Sequence, residues 1–294
     1  MHIVMTGATS GIGEEAAKIL LERADVHLTI GSRSGASGLP QSERLTVLPL
    51  DMDSLENERR FADAVRERGP VDRLLLNAGL QLARPEKSAD GFERTFAVNH
   101  LAHYLMLRLL TGSLAPGARV VLTGSGTHDP AENTPVTPPD HAEAEWLAYP
   151  ERDPNPAKGT RKFCARAYSS SKLCNIMTAR EFAARHPEFT ALSYDPGYVP
   201  TTGLARDYPK WLMAIVSRVI PLLMARDRTS TVPRSGRYLA DLAVDDRYAR
   251  GQGDYWSVRG PDLVKAEPSD LARDAAAARK LWDDSARLVG LESA

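Results

Sequence analysis

Cysteine is scarce in this chain, with two residues, Cys164 and Cys174, among 294. That excludes a disulfide framework and a thiolate zinc site, and it makes a reducing compartment, the cytoplasm, the expectation. No sign of charge dominates. The 37 Lys and Arg residues face 38 Asp and Glu residues, a net charge of −1, which leaves no electrostatic footprint for nucleic acid or for an anionic membrane surface. The apolar run from Trp211 to Ala225 has 15 residues and is interrupted by Arg218 and Pro221. It falls short of the roughly 20 residues that cross a bilayer, so no integral membrane segment is expected and the run reads as a core or lid helix. The opening MHIVMTG is strand-like and has no basic leader region, so no cleaved secretory signal is expected. His128, His141 and His186 have no ligand-like spacing, and no metal is implied. An internal repeat is absent too. What remains is an ordinary globular mixture, 43% apolar and 26% charged, which names no chemistry.

The pattern along the chain is more informative. Short apolar runs at residues 2–6, 26–30, 45–50, 71–76, 119–123 and 190–194 predict strands. Several are apolar almost throughout, as parallel strands covered on both faces are. Helical patterns near residues 12–23, 55–68, 92–110 and 165–185 lie between them, and Asp53 with Glu56 reads as a capping pair opening the second. This alternation predicts an α/β fold: a Rossmann-type, doubly wound parallel sheet with helices on both faces. Two stretches break it. Between Pro130 and Pro156 there are seven prolines in 27 residues, too many for regular structure throughout. A loop that long is usually functional or disordered, so residues 129–160 read as an insertion. The apolar run places a substrate lid at 201–245.

Directly after the first strand comes Thr6-Gly7-Ala8-Thr9-Ser10-Gly11-Ile12-Gly13, leading into a helix. Such a turn lets the backbone approach a pyrophosphate, and the helix N-terminus supplies N–H donors. The spacing is G-x-x-x-G-x-G rather than G-x-G-x-x-G. The second strand should then end in an Asp or Glu if the cofactor ribose carries a free 2′-hydroxyl. From Val26 to Ser42 there is no acidic residue, and Arg33 stands 20 residues after Gly13. A guanidinium binds a 2′-phosphate that a carboxylate would repel, so the cofactor is read as NADP(H).

Tyr168-Ser169-Ser170-Ser171-Lys172 opens a long helix. Residues four apart share a face, so phenol and ammonium can act together. A free tyrosine titrates near 10, and a nearby positive charge lowers that value. The pair is common by chance and gains meaning only from its company.

TGATSGIG, Asn77-Ala78-Gly79 after the fourth strand, Asn99, Ser125 after the fifth, Tyr168 with Lys172, and Pro196-Gly197 after the sixth together resemble the short-chain dehydrogenase/reductase family. The resemblance covers nearly the whole chain and implies one Rossmann-fold domain over residues 1–294. It implies that Tyr168 exchanges a proton with the substrate oxygen, that Lys172 lowers the Tyr168 pKa and holds the nicotinamide ribose, that Ser125 polarises the substrate carbonyl and that Asn99 holds a relay water. Gly7, Ser10, Gly11, Ile12 and Gly13 would line the cofactor phosphates, with Asp51 and Met52 at the adenine. Asn77, Ala78 and Gly79 would lie beside its ribose, with Pro196 and Gly197 also at the cofactor and Thr201 on the carboxamide. Many members pair through two helices, so a homodimer is admitted.

Within the family, Ala167 to Phe182, the segment Thr201 to Leu204 and the last third, with Tyr255-Trp256-Ser257 on a late strand, resemble light-dependent protochlorophyllide reductases and their retinol-dehydrogenase-like branch. The insertion is similar in place and length. One departure stands out: the cysteine that those photoenzymes carry after Pro-Gly is Tyr198 here. The resemblance implies an NADP(H)-dependent reductase acting on a carbonyl, an alcohol or an activated C=C bond. The apolar run and the insertion suggest a bulky, largely apolar small molecule, met by Ser125, Tyr198 and Trp211. Two alternatives remain open: protochlorophyllide reduction itself, and a catalytically idle NADP-binding sensor or scaffold.

Overall fold

Alternating side chains of the short apolar segments reach two different cores, which is what fixes them as central strands of a covered sheet. On β1 (His2–Thr6), Ile3 and Met5 enter one core and Val4 the other. The computed structural model describes residues 1–200 and 226–292. The other strands are β2 (His27–Ser32), β3 (Leu45–Pro49), β4 (Val71–Leu76), β5 (Leu114–Thr123), β6 (Thr190–Asp195), β7 (Gln252–Arg259) and β8 (Asp262–Ala266). They form one sheet in the order β3-β2-β1-β4-β5-β6-β7-β8. Every pairing from β3 to β7 is parallel, and only β8 runs antiparallel, against β7.

Helices cover both faces. On one, α1 (Gly11–Glu22) packs against a helix at Val232–Val244 over Ile3, Met5, Leu28, Ile30 and Leu192. On the other lie α2 (Leu55–Arg66), α3 (Ala102–Leu110) and α4 (Thr160–Arg185), over Val4, Leu74, Leu76, Val120 and Leu122. We label Val232–Val244 α5 and the C-terminal Ala275–Leu288 α6; the latter packs on α4. The contact of α5 with α1 needs Gly236, where a Cβ would stand 2.5 Å from the Glu15 Cβ.

The doubly wound sheet expected from the sequence is present, with differences in detail. The Asp53–Glu56 capping pair does not form. Ser54 is the N-cap of α2 and makes no side-chain cap bond, while Asp53 pairs with Arg94 Nε at 2.8 Å and Leu55 N donates to Asp90 Oδ2 at 2.9 Å. A distant loop thus supplies the cap. The pattern at 92–110 is not one uniform helix: Arg94–Phe96 is α-helical, Ala97–Leu101 widens into a π-turn, and α3 follows. Strand β8 has no counterpart in the expected strands; its exposed Asp262 and Lys265 suit a sheet edge. The insertion holds only short pieces, with 3₁₀ turns at Pro130–Glu132 and Pro150–Arg152 and a short helix at Ala144–Ala148. Of the stretch 201–245, residues 201–225 lie outside the described residues, and α5 belongs to the layer over the sheet.

Candidate active site

The strand order reverses between β1 and β4, which opens a crevice at the carboxyl ends of the strands. The glycine turn follows β1 and Asn77-Ala78-Gly79 follows β4, so the two meet there. Thr6 Oγ1 ties them together by accepting the N–H groups of Asn77 and Ala78 at 3.0 and 3.1 Å. Gly7 has a φ of +67°, and a Cβ on it would come within 2.6 Å of Ala78 Cα. A Cβ on Gly13 would run into the Gly7 carbonyl. Asn77 donates from Nδ2 to the Gly7 carbonyl at 3.3 Å and accepts the Thr123 hydroxyl at 3.1 Å. Ser10, exposed and extended, is the N-cap of α1 and makes no side-chain cap bond. The first-turn N–H groups of α1 therefore point from a glycine cradle without a capping side chain, as a phosphate site requires.

Around that cradle, Gly11 and Ile12 are half-buried in the first turn of α1, and Arg33 is exposed one residue beyond β2. Asp51 and Met52 are half-buried after β3, Asp51 accepting the Asp53 N–H at 3.2 Å and Met52 packing against the core.

Next to the cradle, β5 and α4 bring up the reactive groups. Ser125 follows β5, its hydroxyl accepting the Thr127 N–H at 3.3 Å and the Thr127 hydroxyl at 3.1 Å, and it lies close enough to the Tyr168 phenol to pull that group's pKa down. Lys172, one turn after Tyr168, sits 5.9 Å from the centroid of its ring and donates from Nζ to the Thr123 carbonyl at 3.2 Å. Gly79 backs onto this point: a Cβ there would be 3.2 Å from Lys172 Nζ and 3.4 Å from Asn99 Oδ1. Burial dominates the electrostatics. It pushes the Tyr168 phenol up to about 12, with the Ser125 hydroxyl pulling down and the Asp195 carboxylate adding to the rise. Burial also pushes Lys172 down to about 8. At neutral pH the phenol is thus a protonated donor beside a largely charged ammonium.

Asn99 lies in the π-turn, a distortion that often marks functional positions. Its side chain clamps the loop after β4 to α4. Oδ1 accepts Leu80 N at 2.8 Å, and Nδ2 donates to Leu80 O at 2.9 Å and to Ser171 Oγ at 3.0 Å. Its carbonyl accepts Asn175 Nδ2 at 2.9 Å and His103 Nδ1 at 3.0 Å.

On the far side, Asp195 ends β6 as a buried carboxylate. It accepts the Ser257 hydroxyl at 2.7 Å, the Tyr255 phenol at 3.2 Å and the Gly197 N–H at 3.0 Å, with Arg259 Nη1 at 3.7 Å. His128 accepts Ser269 N–H on Nε2 at 3.1 Å, so its Nδ1 donates to the Ser125 carbonyl at 2.7 Å and braces that turn. Glu132 of the insertion pairs with Arg228 and with Arg259. Tyr198, after Pro196-Gly197, bridges to Thr229 and exchanges backbone bonds with Arg228 and Ser230 at 2.8 and 2.9 Å. Thr201 and Trp211 lie outside the described residues.

The sequence reading missed Asp195, His100, His103 and the role of Asn175. An acidic residue ending an otherwise uncharged strand was the available signal for Asp195. The histidines flank Asn99 at one and four residues, but only their distant partners reveal what they do.

Residues 1–134 match the family model described as short chain dehydrogenase. Over 315 residues the chain is 33% identical to protochlorophyllide reductase A, chloroplastic, of Oryza sativa subsp. japonica, covering 98% of this chain and 80% of that one. The chain belongs to the short-chain dehydrogenase/reductase family. Within this family it lies on the protochlorophyllide-reductase-like branch. Among solved structures, a Mycobacterium Paratuberculosis protein superposes with a TM-score of 0.73 at 26% identity, covering 100% of this chain and 94% of the other. A Burkholderia cenocepacia J2315 short chain dehydrogenase in complex with NADP shares the fold, with a TM-score of 0.63, 19% identity, and 88% and 96% coverage. As a member of the family the chain is an oxidoreductase, and among its described residues no helix is long and apolar enough to cross a membrane.

Proposed function

We propose that this chain is an NADP(H)-dependent reductase, moving a hydride between the nicotinamide and a carbonyl or alcohol, or an activated C=C bond, of a bulky, largely apolar small molecule. One observation carries the reading: the uncapped glycine cradle of α1 and the Ser125–Tyr168–Lys172 group stand at the same edge of the sheet. Arg33, exposed beyond β2 with no acidic neighbour from Val26 to Ser42, favours a cofactor bearing a 2′-phosphate. Neighbours of the same fold are titled in complex with NADP and with NADH, which supports a nicotinamide cofactor and leaves the choice to Arg33.

A nicotinamide cofactor with its phosphates in the glycine cradle would supply the hydride. Tyr168, kept protonated by burial, gives its proton to the substrate oxygen as negative charge builds there. Ser125 donates a hydrogen bond to the same oxygen, and His128 and Asp195 hold the walls from which it acts. Lys172 would hold the nicotinamide ribose, and it keeps positive charge beside the phenol. Asn99 fixes the spacing between the loop after β4 and α4. Pro196, Gly197 and Thr201 would meet the carboxamide end, and Tyr198 with Trp211 the substrate. We read residues 1–294 as one domain, its insertion at 129–160 joined to the substrate side through Glu132. Both cysteines are buried and free, which suits a reducing compartment such as the cytoplasm, although the rice relative is named chloroplastic.

NADPH oxidation and NADP reduction across a panel of aromatic and alicyclic ketones and alcohols test the reading. Turnover with at least one bulky apolar member is expected. Tight NADPH binding with complete inactivity across the panel would favour an idle binding protein instead.

The names of the relatives favour a second reading, reduction of protochlorophyllide. Tyr198 argues against it, because a phenol cannot repeat thiol chemistry and fills more of the pocket. Illumination with NADPH and the pigment decides: chlorophyllide formation would establish that reading, and none is expected.

A further inference from the structure

Asn175 lies one turn beyond Lys172 on α4, fully buried. Its Nδ2 donates to the carbonyls of Asn99 and Thr123, at 2.9 and 3.1 Å. The Thr123 oxygen is also the acceptor of Lys172 Nζ, at 3.2 Å. Amide and ammonium therefore share one carbonyl at the end of β5.

The partners fix how every group in this cluster is turned. Two carbonyls can only accept, so the Asn175 NH₂ faces them and Oδ1 faces His100. His100 Nδ1, 3.3 Å away, must donate to Oδ1, and Nε2 must then accept from Ser285 Oγ at 3.0 Å. Ser285 belongs to α6, 185 residues away from His100 in sequence. A second chain of bonds arrives from the cofactor side. Thr6 Oγ1 already accepts two N–H groups, so its proton goes to His103 Nε2 at 3.0 Å, and His103 Nδ1 donates to the Asn99 carbonyl. Neutral rings are what these bonds require, and burial provides them, lowering His100 to about 4 and His103 to about 3. A charged His103 would present a proton to an oxygen that has no acceptor capacity left.

We propose that Asn175 is a positioning residue for Lys172, and that α6 acts on the active site by fixing the Asn175 amide through Ser285 and His100. The shared Thr123 carbonyl is the point of action. With Asn175 in place its electron density is divided between two donors; without it the oxygen serves the ammonium alone, and the charged form of Lys172 gains. The titratable groups that face Lys172 are the Tyr168 phenol on its own helix and the His103 ring from α3. Burial alone lowers its pKa.

The titration of Lys172 in the free protein, followed by NMR of labelled lysine and assigned by the signal that Lys172→Met removes, tests this. It needs neither cofactor nor substrate, so it stays readable even if the reductase reading fails. The wild-type midpoint is expected near 8. Asn175→Leu should move it upward by about half a unit or more. Ser285→Ala should move it in the same direction by less, and the double variant should go no further than Asn175→Leu, because both act through one amide. A purely structural role would lower the melting temperature and leave the midpoint in place. An unchanged midpoint in folded Asn175→Leu, or shifts that add in the double variant, would overturn the proposal. Should Asn175→Leu not fold, an unmoved midpoint in Ser285→Ala overturns it.

Discussion

Tyr168 and Lys172, one helical turn apart with the ammonium 5.9 Å from the ring centroid, are both driven by burial toward their uncharged forms. For the phenol this is an advantage, since a proton donor must hold its proton. For the ammonium it is a burden that the fold carries for the sake of the site.

Lys172→Met should therefore abolish turnover and raise stability at neutral pH. The folded pKa of about 8 lies below the ordinary lysine value of 10.5, so between these two the unfolded chain binds more protons and the wild type gains stability as pH rises. The benefit of Met is accordingly full below about 8 and fades through that window. Thermal melts should show a gain of roughly 2–8 °C at pH 7 and almost none above pH 10.5. A loss of stability at pH 7 would refute the assignment of a buried ammonium that has no carboxylate partner among the described residues.

Glu58 carries the same lesson on α2. It is fully buried, neither carboxyl oxygen has a hydrogen-bond partner among the described residues, and burial followed by the nearby Asp51 raises its pKa well above 4.5. An acid so raised destabilises the fold increasingly as pH rises above its unfolded value. Glu58→Leu should stabilise the protein by about 1–3 kcal/mol at pH 7.5 and by much less at pH 4. Melts at the two pH values check this, and an equal gain at both would contradict it.

In the proposed function Arg33 selects the phosphorylated cofactor. Arg33→Ala should weaken NADPH binding by about 10–100-fold, the loss of charge-assisted bonds to a phosphate, and leave NADH binding within about threefold. Calorimetric titration with both cofactors measures it, and an equal loss for both would remove Arg33 from the role.

The glycine turn, the central strands and the Tyr168–Lys172 spacing were legible because they depend on local rules: period-two burial, turn geometry and residues four apart on a helix. What was hidden depends on partners far away in sequence. Asp53 reads as a helix cap until Arg94 takes its carboxylate and Asp90 takes the Leu55 N–H. The π-turn at Asn99 leaves no mark in a periodic pattern, since one extra residue in a turn shifts the phase too little to see. His100 looks like an ordinary helix residue until Ser285 arrives from α6. Strand β8, with Asp262 and Lys265 exposed, lacks the apolar run that announces a central strand.

We propose Tyr168 as the proton donor of an NADPH-dependent reduction. The most direct measurement compares wild type with Tyr168→Phe, using the best substrate of the ketone panel for turnover and NADPH titration for affinity. The expected result is a fall in kcat of about 10²–10⁴-fold, with the NADPH Kd held within about threefold. A variant that turns over at the wild-type rate would remove Tyr168 from that role.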